Sequence, residues 1–166
     1  DGAWGWLKAS FIVHAVMLAL IVFGTATAGQ VPLPLKTDPF ARTLGWRDLA
    51  EATRAELGKA AAAGKPYAAV LSDDRSVTAE LLYYLRDEPT PILAWRPGPP
   101  HDHFEMTRPF TAATPSPVLL VRVDDDPPPA LKSFTSVDKV GDRMLPAGDN
   151  AQRHVTFYAL AGYKGQ

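Results

Sequence analysis

Residues 9–28 read ASFIVHAVMLALIVFGTATA and contain no Asp, Glu, Lys or Arg. At about 1.5 Å per residue, twenty helical residues cover roughly 30 Å, the thickness of a bilayer's hydrocarbon core. Trp4 and Trp6 precede the run, where amphipathic rings favour the lipid–water interface. Lys8 can extend its stem toward headgroups. Gln30 and the Pro32/Pro34 pair are expected to end the helix. Residues 1–30 therefore read as a transmembrane helix with its flanks, and a lipid bilayer as its partner. A buried core helix rarely runs this long without a charge. A signal peptide has a shorter apolar region, roughly 7–15 residues, although the Ala-Thr-Ala-Gly ending resembles a cleavage site. His14, the one strongly polar side chain in the run, reads as a neutral His facing another helix. The start at Asp1, with no early Met, sets the expectation of a piece cut from a longer membrane protein.

Residues 31–45, rich in proline, form an extended linker, and residues 46–166 form the water-soluble domain. From Trp46 a helical pattern begins, with Leu49, Ala50, Thr53 and Leu57 inward and Glu51, Arg54 and Ala55 outward. Gly64 and Pro66 stop it. Residues 67–72 (YAAVLS) read as a buried strand that turns at Asp73-Asp74. Residues 78–86 resume helical spacing, with Leu81, Leu82 and Leu85 inward and Asp74 or Ser76 as the cap. Residues 91–95, 117–123 and 154–160 are three further strands. Helices alternating with strands predict an α/β domain of two or three layers, with a mostly parallel or mixed sheet.

The net charge of -1, without a Lys/Arg cluster, carries no nucleic-acid signal. The absence of cysteine excludes disulfides, thiolate metal sites and a cysteine nucleophile. No serine sits in a nucleophile-elbow sequence. No glycine-rich phosphate loop follows the first strand, which argues against a dinucleotide site.

Three polar clusters remain. Asp73, Asp74 and Arg75 lie just beyond a strand's carboxyl end, where α/β sheets often bind ligands; a helix cap with a surface ion pair is the plainer reading. His101, Asp102, His103 and Glu105 form the densest polar group, HDHFE. In an extended strand His101, His103 and Glu105 would share one face and could ligate a divalent metal. Following Gly-Pro-Pro, the group reads better as a solvated loop entering a strand. Asp124, Asp125 and Asp126 could grip Ca²⁺ but read better as a charged loop that stops the strongest strand.

The order of these segments resembles the C-terminal part of bacterial membrane glycosyltransferases related to the dolichyl-phosphate-mannose protein mannosyltransferases and the aminoarabinose transferase of lipid A. The segments are TDPFARTLGWRDLAEATRAEL, AAVLSDDRSVTAELLYYLRDEP, PILAWRPGPPHDHFEM and PSPVLLV. The matching residues are Asp73, Arg75, Glu80, Leu81, Tyr83, Tyr84, Leu85, His101, Asp102, Phe104 and Glu105. The resemblance implies an inner-membrane enzyme that moves a sugar from a polyprenyl-phosphate carrier to a lipid or protein acceptor. It places the soluble domain in the periplasm, whereas Lys8 on one side against Lys36, Arg42 and Arg47 on the other would put it in the cytoplasm by charge count. It assigns the catalytic carboxylate to an N-terminal loop that this chain lacks, so no catalytic residue is expected here. It also implies no cofactor in this part, with a divalent metal allowed in the whole enzyme. Asp73, Arg75, His101, His103 and Glu105 are then candidate ligand or acceptor contacts. The alternative is a membrane-anchored periplasmic binding or sensor module without catalysis.

Overall fold

A computed structural model describes residues 2–31, 40–124, 126–148 and 151–165. The chain divides into two compact units. The first comprises residues 1–44 together with residues 147–151, and the second holds the rest.

The first unit is dominated by helix α1, Gly2–Ala26. Its stretch Ala3–Ala26 is long and apolar enough to cross a membrane, and none of it is buried. Phe11, Ile12, Leu18, Leu20, Ile21 and Phe23 are all exposed. The ammonium of Lys8 lies 5.6 Å from the ring centre of Trp4. His14 donates from Nδ1 to the carbonyl of Ser10 at 2.7 Å, within its own helix. The helix ends at Ala26, four residues before Gln30, because the chain turns at residues 27–30 with Gly29 at a φ of 72°. Pro32 and Pro34, and most of the expected linker, lie outside the described residues.

The second unit is a mixed α/β fold. Helix α2 is Trp46–Ala62, strand β1 Ala69–Ser72, helix α3 Arg75–Tyr84, strand β2 Ile92–Ala94, helix α4 His103–Thr107, and strand β3 Val118–Arg122. A 3-10 turn, Pro129–Ser133, leads into a hairpin of β4, Phe134–Pro146, and β5, Gln152–Tyr163. The sheet order is β2-β1-β3-β5-β4. The first three are parallel, with Val70 beside Ile92 and Leu119. β5 runs antiparallel to β3, with Leu119 opposite Ala159, and β4 antiparallel to β5.

Both faces of the sheet are covered. On one, Val70, Ile92, Leu119, Val121, Val155 and Phe157 meet Leu49 and Leu57 of α2, Val77 and Leu81 of α3, and Leu85 just after it. On the other, Leu71, Val118, Leu120 and Leu160 meet Trp95, Ala130 and Phe134. The rings of Phe110, Phe134 and Tyr163 close that face, with centres 5.1 to 5.6 Å apart. Double coverage explains why the three parallel strands read as continuous apolar runs.

Two expectations are corrected. Residues 101–105 form neither a strand nor a loop entering one, but open the short helix α4. Asp102 and Glu105 stand at capping distance, and that local hydrogen bonding decides the outcome. Residues 134–146, given no element by the sequence reading, form the longest strand.

Candidate functional site

The parallel strands all point their carboxyl ends to one edge of the sheet. β1 connects onward to β2 on one side, while its other neighbour is β3, so the strand order reverses between β1 and β3. Open α/β sheets bind ligands beyond such a reversal.

Asp73 sits there. Its Oδ1 accepts from Arg122 Nη1 at 3.0 Å, and its side chain is 7% exposed. Arg122 Nη2 also reaches Asp124 Oδ2 at 3.4 Å. The Nε of Arg122 is buried without a hydrogen-bond partner among the described residues. Asp74 has the plainer role: its Oδ1 accepts from the Val77 backbone N–H at 2.9 Å and caps α3. Its carbonyl accepts from Thr78 Oγ1 at 2.8 Å. Arg75 opens α3 and is exposed. The ion pair at this turn is therefore formed with Arg122 of β3, not with Arg75, and it is mostly buried rather than a surface pair. Of the acidic run, Asp124 turns toward Arg122, Asp126 is exposed, and Asp125 lies outside the described residues.

A second group stands beyond the end of β2. Asp102 Oδ1 accepts from the Glu105 backbone N–H at 2.9 Å and caps α4. Glu105 answers by accepting from the His101 backbone N–H at 2.6 Å. Arg96 Nη1 holds both oxygens of Glu105 at 3.3 Å. His101 and His103 are exposed. Among the described residues no three His, Asp or Glu side chains converge as metal ligands. The set that the HDHFE spacing suggested does not fit a divalent ion, since Glu105 is engaged by Arg96. Arg96 and Glu105 line a cavity of about 410 Å³ whose other walls include Ala94, Met106, Pro109 and Phe110. The backbone of Ala94 is bridged to Arg108 and Phe110 at 2.9 and 2.8 Å, which fixes the cavity floor. The Trp95 backbone N–H donates to the carbonyl of Ser72 at 2.8 Å and links the two groups. The Trp95 ring is 4% exposed, and its Nε1 has no partner among the described residues.

The Tyr83-Tyr84 pair lines a separate cavity of about 290 Å³ between α2 and α3. Arg86 lies 5.5 Å from the Tyr83 ring centre and Arg47 6.0 Å from that of Tyr84. Arg54 donates to the Tyr84 carbonyl at 3.4 Å and pairs with Glu88 at 3.8 Å. Glu80, Leu81 and Leu85 face elsewhere: the two leucines enter the core, and the Glu80 carboxyl is held above its usual range by burial, with Arg153 opposing.

At the carboxyl edge, then, Asp73, Asp124 and Glu105 are ion-paired, and Asp74 and Asp102 serve as helix caps. The Arg96–Glu105 pair suits recognition of hydroxyls and charges, because it lines the cavity and a ligand can share its bonds. Sequence reasoning missed Arg122, Arg96 and Trp95. Arg122 had a signal, being the only charge within the apolar run 117–123. Comparison of the chain with known protein families, curated proteins and solved structures finds no match.

Proposed function

We propose that this chain is the membrane-proximal part of an integral-membrane glycosyltransferase, with α1 spanning a bacterial inner membrane and the α/β unit on the periplasmic side. The enzyme would move a sugar from a polyprenyl-phosphate carrier to a lipid or protein acceptor, and this part would contact the acceptor or carrier. One observation carries the reading. The same chain holds an exposed apolar helix of membrane-spanning length and a sheet-edge cavity that is ionic at Arg96–Glu105 and apolar at Met106, Pro109 and Phe110. A glycolipid offers both chemistries, hydroxyls or phosphate for the ion pair and hydrocarbon for the walls. The segment order described above supports the same assignment.

The test titrates a polyprenyl-phosphate sugar into the chain in lipid nanodiscs and follows the emission of Trp95, which neighbours Arg96, in a background where Trp4, Trp6 and Trp46 are replaced by Phe. Saturable binding is expected, weakened about tenfold or more by Arg96→Ala, which removes the cation that would meet the phosphate. Binding that is absent, or identical with and without Arg96→Ala, sinks the reading.

The alternative is a membrane-anchored binding or sensor module without catalysis, which the same groups suit equally. At the carboxyl edge, Asp73 and Glu105 are ion-paired while Asp74 and Asp102 cap helices, which leaves none of these four as an available general base. Sugar transfer by the whole enzyme that would contain this chain, weakened by Arg96→Ala, separates the transferase from the module.

A further inference from the structure

We propose that the outer edge of β4 pairs antiparallel with β4 of a second copy of this chain, about a two-fold axis through Gly141. The inference is independent of the glycosyltransferase reading.

β4 ends the sheet, and among the described residues no strand lies beyond it. Its outer backbone N–H and C=O groups form a template for another strand. Charges on such an edge ordinarily deter pairing. Here the order of the charges decides which partner is deterred.

Register with β5 gives the spacing. Val137, Asp138 and Lys139 stand opposite Leu160, Ala159 and Tyr158. Gly141, Asp142, Arg143 and Met144 stand opposite Phe157, Thr156, Val155 and His154. The register shifts between Lys139 and Gly141, so Val140 is an extra residue. Counted in steps of the sheet, Gly141 is therefore flanked by Lys139 and Asp142, then by Asp138 and Arg143, then by Val137 and Met144.

A two-fold axis perpendicular to the sheet at Gly141 exchanges the two flanks. Lys139 then faces Asp142 of the second copy, Asp138 faces its Arg143, and Val137 faces its Met144. Every pair is complementary, and each occurs twice. Each pair also joins residues on the same face of the sheet, as strand geometry requires. Moving the axis one step destroys the match. At Lys139 it sets Val137 against Asp142, and at Asp142 it sets Lys139 against Met144. The glycine at the axis carries no side chain to collide with its symmetry mate.

The side chains are available. Val137 is 39% and Met144 56% exposed. Lys139 and Asp142 already pair with each other within one chain, with both side chains nearly half exposed. Two copies would join these pairs into a ring of four alternating charges. Arg143 keeps its bond to Glu56 while 35% of its side chain remains exposed.

The test measures sedimentation velocity of the full chain in density-matched detergent. The wild type is expected to be a dimer that salt weakens. Lys139→Asp and Asp142→Lys each create two like-charge pairs and should raise the dimer Kd about tenfold or more. An equimolar mixture of the two variants should dimerise again, because each then supplies the charge that the other lacks. Restoration on mixing depends on contact between molecules and not on the fold of either. Met144→Asp probes the outer rung and should weaken the dimer as well. A wild type that stays monomeric at about 100 µM overturns the proposal. So does association unchanged in the variants, as α1 alone would produce, or a mixture that fails to recover.

Discussion

The two halves of the α/β unit are held by different forces. The parallel half, β1, β2 and β3, uses strands of four, three and five residues. Apart from Leu93 and Arg122, every residue in those strands is buried. The antiparallel half uses strands of 13 and 12 residues, and β4 buries only Phe134. Apolar burial fixes the first half and β5, whose Val155, Phe157 and Leu160 are in the core. β4 depends more on register and on an ionic clasp to α2. Glu56 is 4% exposed and accepts from Lys59 Nζ at 2.9 Å and Arg143 Nη2 at 2.5 Å. Gly141 makes room for this clasp: a Cβ there would lie 3.0 Å from the Phe157 ring and 3.3 Å from Glu56 Oε1. The phenol of Tyr67 nearby is pushed above its usual pKa by burial, then by the charges of Glu56 and Asp138. A hydrophobic half tolerates little loss of volume, whereas a clasped half tolerates little loss of charge balance.

The largest expected effect lies in the first half. Leu119 is fully buried between α2 and α3 on the central strand. Leu119→Ala should cost about 2–5 kcal/mol. Near-UV circular dichroism on heating should show one earlier loss of signal, with hydrogen exchange accelerated across all five strands. The second effect is local. Arg143→Ala leaves Glu56 buried with Lys59 as its remaining cation, at a cost of about 1–3 kcal/mol, below that of an entirely orphaned charge. Amide exchange should quicken in β4 and its neighbours on β5, while β1 and β2 stay protected. Uniform acceleration in Arg143→Ala would erase the distinction between the halves.

The same contrast governs what the sequence disclosed. The runs AVLS, ILA and VLLVR sit between two packed layers, so their composition alone marked them as strands. α2 was legible from Leu49, Ala50, Thr53 and Leu57, but Glu56 lay in that buried stripe unnoticed, since its partner Arg143 is 87 residues away. β4 was hidden because FTSVDKVGDRMLP alternates charge rather than hydrophobicity and carries a register shift near Gly141. Its pairing to β5 supplies what the pattern withholds. At the candidate site, Asp73 lies just beyond a strand end, whereas Glu105 lies in helix α4 and not in a loop entering a strand. Their cations are Arg122, a strand residue 49 positions from Asp73, and Arg96, which follows β2 and lies nine positions before Glu105. The HDHFE group reads from sequence as a loop entering a strand, while the decisive spacing was Asp102 to Glu105, which caps a short helix.

The smallest expected effect falls on the seam between the halves. Glu80 of α3 interacts electrostatically with Arg153 of β5, whose guanidinium stacks 3.7 Å from the Trp46 ring centre. Burial holds the Glu80 carboxyl above its ordinary pKa, and the attraction of Arg153 only partly opposes this. Burial likewise draws Arg153 below its ordinary value, with Glu80 opposing. A carboxyl whose folded pKa is raised binds its proton more tightly in the folded chain. Its contribution to stability is therefore fully present below the unfolded pKa, about 4.3, and is lost as pH rises through the folded value. At neutral pH the charged Glu80 is a net cost. Glu80→Gln should raise the melting temperature by less than about 2 °C at pH 7, and the gain should vanish below about pH 4. Arg153→Gln should have the opposite sign, because Glu80 then keeps its burial cost and loses its compensating charge. If both substitutions stabilised the domain, the two halves would be meeting through packing alone, and the seam would belong with the apolar half rather than with the clasp.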